Sequence, residues 1–256
     1  MKMRGLCLGL LPAVFSLAAT FAHAMDLPQC AGAGTDRGEI EHVMAGGALV
    51  LKGGRAAVLE GLLLPKPGEG GAEQSSRALS AMVTGKFATL AVPAPREDRH
   101  GRLRAQVAVS GEWVQEAMLR EGFARVSLLP THSQCAKEMY EAEAAAREAR
   151  RGIWALPKYA VRSPENLGRD RGTFQIVEGK VVSAAVKGGR AYLNFSGDWK
   201  NDFTVTIAPD DMKTFRKRHV NPRDYAGKTV RVRGLIDWYR GPEIELMGPE
   251  SIEVLH

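Results

Sequence analysis

Cysteine and long apolar runs are scarce in this sequence, and each shortage excludes classes of protein. The 256 residues contain three cysteines and no CxxC pair, which excludes zinc ribbons, thioredoxin-like sites and disulfide-dense miniproteins. The only apolar run long enough to consider as a membrane span is at the N-terminus, so no multispan membrane protein is predicted. Charged residues (25%) and hydrophobic residues (45%) are balanced as in globular proteins, which excludes disordered and coiled-coil chains.

The first residues have the pattern of a secretory signal peptide. Lys2 and Arg4 precede an apolar run, and Ala22 and Ala24 supply the small residues that a signal peptidase requires. We therefore predict that residues 1–24 are removed and that the mature chain is periplasmic or secreted and not an integral membrane protein. The alternative is an uncleaved anchor, for which the apolar run is barely long enough.

Two cysteines, Cys30 and Cys135, remain after this cleavage. Because paired cysteines form disulfides in oxidising compartments, we predict a bond between them. The alternative is a metal site that uses both cysteines and His132, although no suitable spacing supplies a fourth ligand.

The charge of the chain is weakly informative about its partners. The formal net charge is +6, and Lys2 and Arg4 in the signal contribute two of these charges. Nucleic-acid binding usually depends on a concentrated basic face. Three basic clusters are candidates for such a face: residues 213–219, the pair Arg231 and Arg233, and the group Arg147, Arg150 and Arg151. Each cluster is also typical of an ordinary solvated surface.

The spacing of apolar residues predicts a first domain of mixed α and β structure at residues 25–156. Strands are expected at residues 40–43, 48–51, 56–64, 87–92 and 103–109, where β-rich runs are separated by glycine and proline. Three helices are expected from apolar residues at helical spacing, around Leu79, at residues 113–119, and from Thr131 to Gly152. Thr131 and Gln134 have the spacing of a capping box, which places the start of the third helix there.

Strands dominate the second half. Residues 157–172 contain proline and glycine without periodicity and predict a linker. Residues 173–256 form a predicted second domain with one helix, at 210–218. Its five strands are expected at residues 174–186, 190–195, 202–207, 228–238 and 243–254. This order is typical of a small OB-type barrel, so the predicted fold class is mainly β with helices (α+β), in two successive barrels.

Motifs in the middle and at the end of the first domain resemble those of a known family. Residues 98–102, which read Asp-Arg-His-Gly-Arg, and the helical segment 113–126 are similar to the staphylococcal nuclease-like (thermonuclease) family. Residues 141–154 resemble the last helix and terminal tryptophan of that family. The resemblance, over roughly residues 38–156, implies an SNase-like OB-type barrel with three helices. It also implies hydrolysis of DNA or RNA with calcium, a glutamate base and two phosphate-binding arginines.

The residues expected to hold calcium and activate water are replaced in this sequence. Where the family reads Asp-Gly-Asp-Thr, residues 45–48 read Ala-Gly-Gly-Ala, so Gly47 stands at a calcium ligand. In the next motif, Val58 replaces a phosphate-binding arginine and Leu63 replaces a calcium-binding aspartate. Lys66 replaces the general base. Because calcium requires several oxygen ligands, we expect no calcium site and no other cofactor.

Arg102 matches a catalytic position of the family, and its present role could be limited to pairing with Asp98. A substitute site could in principle use Glu60 and Glu69, with His100 nearby. General-base and phosphate-binding roles would then fall to residues that the family does not use.

Aromatic and basic residues indicate where a single-stranded nucleic acid could bind. OB-type barrels bind strands on an open face, where aromatic rings stack on bases. The aromatic candidates are Tyr192, Phe195, Trp199, Trp238 and Tyr239, with Phe195 expected in the core. The candidate nucleic-acid-binding residues are His100, Arg102, Tyr192, Arg231 and Arg233.

The sequence therefore favours an exported SNase-like protein that has lost calcium-dependent phosphodiesterase activity and acts as a binding or scaffold module. The partner would be single-stranded nucleic acid or another protein. The alternatives are an active nuclease with a non-standard site and a protein–protein adaptor.

Overall fold

The computed structural model describes residues 27–34, 36–198 and 202–255. The predicted signal peptide and Trp199 lie outside these residues. No helix in the described part of the chain is long and apolar enough to cross a membrane. The predicted disulfide between Cys30 and Cys135 is present, and it links positions 105 residues apart.

The alternative assignment of His132 to a metal site with these cysteines is wrong. The two sulfur atoms are bonded to each other. The buried imidazole of His132 has a partner on each nitrogen, with the Thr131 hydroxyl 2.8 Å from Nδ1 and the Pro95 carbonyl oxygen 2.9 Å from Nε2. Both nitrogens are therefore committed to hydrogen bonds.

Five strands close into a barrel in the first domain. The barrel strands are β1 (Asp36–Val43), β2 (Leu49–Leu51), β3 (Ala56–Leu59), β5 (Phe87–Ala91) and β6 (Leu103–Val109). Two short strands, β4 (Leu62–Leu63) and β8 (Arg125–Val126), pair with each other, and β7 (Glu112–Trp113) pairs with β6. Neighbours in the order β3-β2-β1-β5-β6 are antiparallel, and the parallel pairing of β3 with β6 closes the ring. Alternate side chains such as Leu103, Ala105 and Val107 fill its core.

Three helices cover this barrel: α1 (Ala72–Val83), α2 (Val114–Arg120) and α3 (Ala136–Glu148). The predicted start of the third helix at Thr131 was wrong. Residues Pro130–His132 form a separate 3₁₀ turn, and the Thr131 hydroxyl bonds the imidazole of its neighbour instead of capping a helix. Cys135 then precedes the first turn of α3, so the disulfide holds that end of the helix.

The segment expected to be a linker is tightly packed. It contains the 3₁₀ turns Pro157–Tyr159 and Pro164–Asn166. The guanidinium of Arg162 binds the Asp170 carboxylate at 3.0 Å and donates to the carbonyl groups of Pro157 and Ala160. Buried Tyr159 donates its hydroxyl to the Gly70 carbonyl at 2.8 Å. The connection is therefore anchored to the first domain.

A small β domain with its own core follows. Its elements are β9 (Phe174–Lys180), β10 (Ser183–Lys187), β11 (Arg190–Asn194), β12 (Thr204–Ile207), α4 (Met212–Lys217), β13 (Thr229–Leu235), β14 (Asp237–Trp238), β15 (Pro242–Glu245) and β16 (Ile252–Val254). The strands form two sheets, β10-β11-β12-β15-β14 and β16-β13-β9. The chain passes directly from β9 into β10 and from β13 into β14, which joins the two sheets. The helix lies between β12 and β13, and β12 runs parallel to β15, as the predicted OB-type order requires.

A buried ion pair joins the two domains. Glu143 of α3 is fully buried and accepts a hydrogen bond at 2.8 Å from Arg233 of β13, which is 3% exposed. Arg233 also binds Glu253 at 2.6 Å, and its guanidinium lies 4.2 Å from the centre of the Tyr140 ring. The Tyr140 hydroxyl donates to the Glu250 carbonyl. These contacts connect the last helix of the first domain with β13 and with the 3₁₀ turn Pro249–Ser251 of the second.

Candidate functional site

The two altered motifs of the first domain face each other in the structure. Gly47 is buried, in a turn in which its N–H donates to the Met44 carbonyl at 2.9 Å. Its φ is +88°, and a Cβ there would lie 3.1 Å from Cδ2 of Leu64 and 3.6 Å from Cδ2 of Leu79. A side chain at position 47 would therefore crowd Leu64, in the wall of an open pocket of about 500 Å³ that Gly47 and Leu64 line together.

The other altered positions also present no side-chain oxygen. Val58 on β3 is paired in register with Arg104 of β6, and Leu63 on β4 is paired with Arg125 of β8. The Lys66 side chain is exposed. Its backbone N–H donates to the Glu69 carboxylate at 3.0 Å.

These residues do not fit a calcium ion. Calcium takes about six to eight oxygen ligands at close range, whereas the aligned positions offer no side chain at Gly47, hydrocarbon at Leu63 and an ammonium at Lys66. Within the described residues, no group of three or more His, Cys, Asp or Glu side chains is arranged to hold a metal. We derive no catalytic step through calcium.

The two carboxylates that could have formed a substitute site each have their own cation. Glu60 is 4% exposed and accepts a hydrogen bond from Arg104 at 2.9 Å. Glu69 pairs with Lys158 at 2.9 Å. Burial alone would raise the pKa of Glu69, but the hydrogen bonds from Lys158 and from the Lys66 amide outweigh it and lower the pKa. Both carboxylates are therefore engaged.

Arg102 pairs with Asp98, as the sequence predicted. Its Nη2 lies 2.6 Å and its Nε 2.8 Å from Oδ2 of Asp98. Burial opposes ionisation of Asp98, but the Arg102 guanidinium and the backbone N–H groups of Arg102 and His100 lower the pKa of the carboxyl to about 2. His100 is exposed at the tip of this turn, and its Nε2 accepts from Arg99 Nε at 3.0 Å. Arg102 is thus held by the ionised carboxylate of Asp98.

A groove of about 540 Å³ crosses the outer face of the second domain. Tyr192 on β11 faces this groove, whereas its neighbours Ala191 and Leu193 are buried in the core. The predicted orientation of Phe195 into the core is confirmed. Tyr239, in the turn between β14 and β15, is 72% exposed, and the Arg240 guanidinium lies 5.6 Å from the centre of its ring. The groove therefore has two tyrosines with an arginine stacked beside one of them.

Polar groups complete the lining of this groove. Lys187 contributes a second cation, and Thr204 and Thr206 lie on β12. Among the described lining residues the one acidic side chain is Glu243, which accepts a hydrogen bond from the Thr206 hydroxyl at 2.6 Å. Two cations and one carboxylate leave the groove mildly positive.

The structure corrects the assignment of Arg231 and Arg233 to a nucleic-acid surface. Val230 and Val232 face the core, so the alternating arginines point to the opposite face of β13, which the first domain covers. Arg233 is buried in its ion pair with Glu143. The Arg231 side chain is 18% exposed and pairs with Glu178 at 2.9 Å.

Sequence reasoning missed Arg125. It follows the second helix in an alternating segment that gave no signal for a special role. Its position is determined by the second domain, whose Phe174 carbonyl accepts a hydrogen bond from Arg125 Nη1 at 2.6 Å.

Comparisons with known proteins locate the first domain. Residues 66–156 match the family model described as "Staphylococcal nuclease homologue". An uncharacterized protein of Bacillus anthracis is 28% identical over 100 residues, which are 38% of this chain and 47% of that protein. The chain thus spans about half the length of this curated relative. The family match contains α1 to α3 and Arg102, while Gly47, Val58 and Leu63 precede it.

Proposed function

We propose that this chain, whose first domain is a staphylococcal nuclease-like domain with an OB fold, is an exported binding protein without calcium-dependent phosphodiesterase activity. The observation that carries the proposal is the lack of side-chain oxygens at the aligned positions Gly47, Leu63 and Lys66. Metal-assisted hydrolysis needs a bound cation to polarise the phosphate and a base to activate water. Here Gly47 offers no ligand, Leu63 offers hydrocarbon, and Lys66 stands where a base is needed.

The state of Arg102 supports the same proposal. The arginine would have to leave Asp98, or share it, to hold a phosphate. Since the pKa of Asp98 is lowered to about 2, its carboxylate stays charged and competes for the guanidinium at every physiological pH.

A nuclease assay tests this part of the proposal. The mature protein is incubated with single- and double-stranded DNA and with RNA, in calcium or in EDTA. We expect no calcium-dependent cleavage. Cleavage that EDTA and Arg102→Ala both abolish, and that the neighbouring exposed variant Arg99→Ala retains, would establish the alternative of an active nuclease with a non-standard site.

The groove of the second domain is the proposed binding surface for single-stranded nucleic acid. Outer faces of OB-type barrels bind oligonucleotides, and exposed aromatic rings stack on bases whatever the sequence. Tyr192 and Tyr239 supply such rings, and Lys187 and Arg240 supply charge for the backbone. A protein–protein adaptor is the competing assignment.

Titration of a short single strand at two salt concentrations distinguishes these functions. We expect affinity that falls with salt, because phosphate contacts release counterions. Tyr192→Ala should weaken binding about tenfold, since stacking on one base contributes about 1–3 kcal/mol. Phe87→Ala is the control, because Phe87 is 64% exposed on the first domain and far along the chain from the groove. Absence of strand binding would leave the adaptor function as the better account.

Export is supported by the disulfide, which is typical of proteins in oxidising compartments. N-terminal sequencing of the protein recovered from the periplasm or the culture medium tests it. We expect the mature chain to begin at Met25. A chain that keeps Met1 in the membrane fraction would support the uncleaved anchor.

A further inference from the structure

A cavity of about 210 Å³ lies where the two domains meet, and it is lined by different residues from the Tyr192 groove. The first domain contributes Lys66, Arg125 and Ser127 to its walls. The connecting segment contributes Lys158, and the second domain contributes the stretch around Thr173. The cavity is therefore formed only when both domains are in place.

Arg125 is a buried cation that forms no salt bridge with a carboxylate among the described residues. It is 6% exposed. Its contacts within the described part of the chain are the Phe174 carbonyl and the rings of Tyr159 and Phe174, whose centres lie 4.9 and 5.0 Å from its Cζ. Burial lowers the pKa of this guanidinium, although the charges of Glu143 and Glu69 act on it from a distance and raise its pKa in part. Buried charges in proteins are normally paired, so an unpaired one beside a cavity indicates a missing anion.

Arg233 shows the ordinary arrangement in the same molecule. It is buried to a similar extent, but it binds the carboxylates of Glu143 and Glu253 at 2.8 and 2.6 Å. Arg233 and Arg125 therefore differ in whether a carboxylate binds the guanidinium, and not in how deeply the side chain is buried. Arg125 lies in the cavity wall, and its Nη1 is the guanidinium nitrogen that binds the Phe174 carbonyl. Its other guanidinium N–H groups are the donors that an anion in the cavity could use.

The charges around the cavity fit a dianion. Lys66, Arg125 and Lys158 are positive, and Glu69, which pairs with Lys158, is the only acidic residue that the described part of the chain contributes to the lining. These four side chains leave two positive charges. A phosphate monoester or inorganic phosphate carries close to two negative charges near neutral pH, whereas a carboxylate carries one. The volume is below the roughly 300–1,000 Å³ of sites for drug-sized molecules, so a compact anion fits best.

We propose that this interdomain cavity binds a phosphate dianion, as inorganic phosphate or as a terminal phosphomonoester. Arg125 offers its guanidinium fork at the buried end, and Lys66 and Lys158 offer ammonium groups at the exposed rim. This assigns a role to Lys66 at the position where the resemblance implies a catalytic base. The site is independent of strand binding in the groove, because the groove and the cavity share no residue.

Isothermal titration of the mature protein with inorganic phosphate tests the site. We expect one phosphate per chain. The double variant Lys66→Gln/Lys158→Gln should bind at least about tenfold more weakly, since each lost charge-assisted hydrogen bond contributes about a factor of ten. The matched control is Lys52→Gln/Lys137→Gln, which removes two exposed lysines, each paired with a glutamate away from the cavity. The control should bind phosphate as the parent chain does.

Arg125→Gln is the second variant and is assessed by circular dichroism first, because it alters a buried contact. A folded Arg125→Gln protein should have lost phosphate binding. The lysine double variant changes only exposed side chains, so it keeps the test decisive if the Arg125 variant does not fold. Binding that is absent from the parent chain in tens of millimolar phosphate, or equal in the lysine double variant, would overturn the proposal.

Competition identifies the source of the phosphate. A DNA dinucleotide with a 5′-phosphate should displace inorganic phosphate if the cavity accepts a terminal phosphomonoester, while the same dinucleotide without that phosphate should not. If neither dinucleotide competes, the ligand is free phosphate. Displacement by both dinucleotides alike would contradict the proposal, because recognition would then not require the dianion.

Discussion

Gly46 and Gly47 have almost the same backbone conformation but very different surroundings. Their φ values are +87° and +88°, a region that side chains rarely adopt. A Cβ on Gly46 would meet nothing within 4 Å, whereas one on Gly47 would meet Leu64 at 3.1 Å. Comparing the same substitution at Gly46 and at Gly47 therefore separates two losses of unfolding free energy, one from the backbone conformation and one from placing a side chain against Leu64.

We predict that Gly47→Asp is more destabilising than Gly46→Asp. Both variants should lose about 1–2 kcal/mol from the positive φ. Gly47→Asp should lose roughly a further 2 kcal/mol, because its Cβ would crowd the Leu64 side chain. Urea unfolding measures both losses, and Leu64→Ala in the Gly47→Asp background should recover part of the difference. Equal losses of unfolding free energy in the two variants would mean that Leu64 does not crowd a side chain at position 47.

The Asp98–Arg102 pair predicts a stability difference that depends on pH. Because the folded pKa of Asp98 is about 2 and its ordinary value is 3.8, its contribution is complete above pH 3.8 and is lost as the pH falls through about 2. Asp98→Asn should therefore be less stable than the parent chain at pH 7, and the gap should close between these values. Asp237→Asn, at an exposed aspartate of β14, is the control. A gap that stays constant down to pH 2 would show that the carboxylate charge is not what stabilises the turn.

The two arginine pairs show which residue contacts can be predicted from a sequence. Arg102 and Asp98 are four positions apart in one turn, so their pairing was accessible to inspection of the sequence. Arg233 and Glu143 are 90 positions apart, in different domains. Nothing in the local pattern around either residue indicates that the other will cover it. For the same reason Arg125 gave no sign of lying in a cavity wall that the second domain completes.

Among the elements, strands were predicted better than helix ends. The alternation of apolar residues in β6 reports directly which face is buried, so its bounds followed from the sequence. The start of α3 did not, because Thr131 has the right type and spacing for a cap but bonds His132 instead. The predicted strand 243–254 is divided in the structure by the 3₁₀ turn Pro249–Ser251. Whether Thr131 caps a helix or bonds His132 depends on where the fold places the imidazole, which the spacing of residues in the sequence does not show.

The disulfide connects two elements that lie far apart in the sequence. It ties the short 3₁₀ turn Gln29–Ala31 to the start of α3 across 105 positions of chain. We predict that Cys30→Ala/Cys135→Ala lowers the free energy of unfolding by about 2–5 kcal/mol, because a cross-link over a long loop restricts the unfolded chain. Urea unfolding of both proteins measures the loss, and reduction of the parent chain should reproduce it. Equal stability of the oxidised and reduced parent would contradict this account.

At the scale of the whole molecule, the two barrels are expected to behave as one unit. The buried Glu143–Arg233 pair, the Arg125 bond to Phe174 and the Tyr140 bond to Glu250 all cross the boundary. Burial by itself lowers the pKa of Arg233, but the charge of Glu143 outweighs it and raises the pKa, so the guanidinium stays charged. Opening the interface would break these contacts together, so the two domains are expected to have little freedom to rotate.

Arg233→Met tests this coupling directly. The change leaves fully buried Glu143 without its closest cation, although Arg147 remains at 3.4 Å, and we predict a loss of about 3 kcal/mol, at the lower end of what breaking a buried pair costs. Arg233→Met/Glu143→Leu should lose less than the single variant, because no buried carboxylate is then left without Arg233. Arg231→Met, which removes a more exposed arginine, should cost at most about 1 kcal/mol. Tryptophan fluorescence and far-ultraviolet circular dichroism should give one coincident unfolding transition for the parent chain and two for Arg233→Met. Two transitions in the parent would mean that the domains unfold independently, in which case the interdomain cavity would not persist once the second barrel is lost.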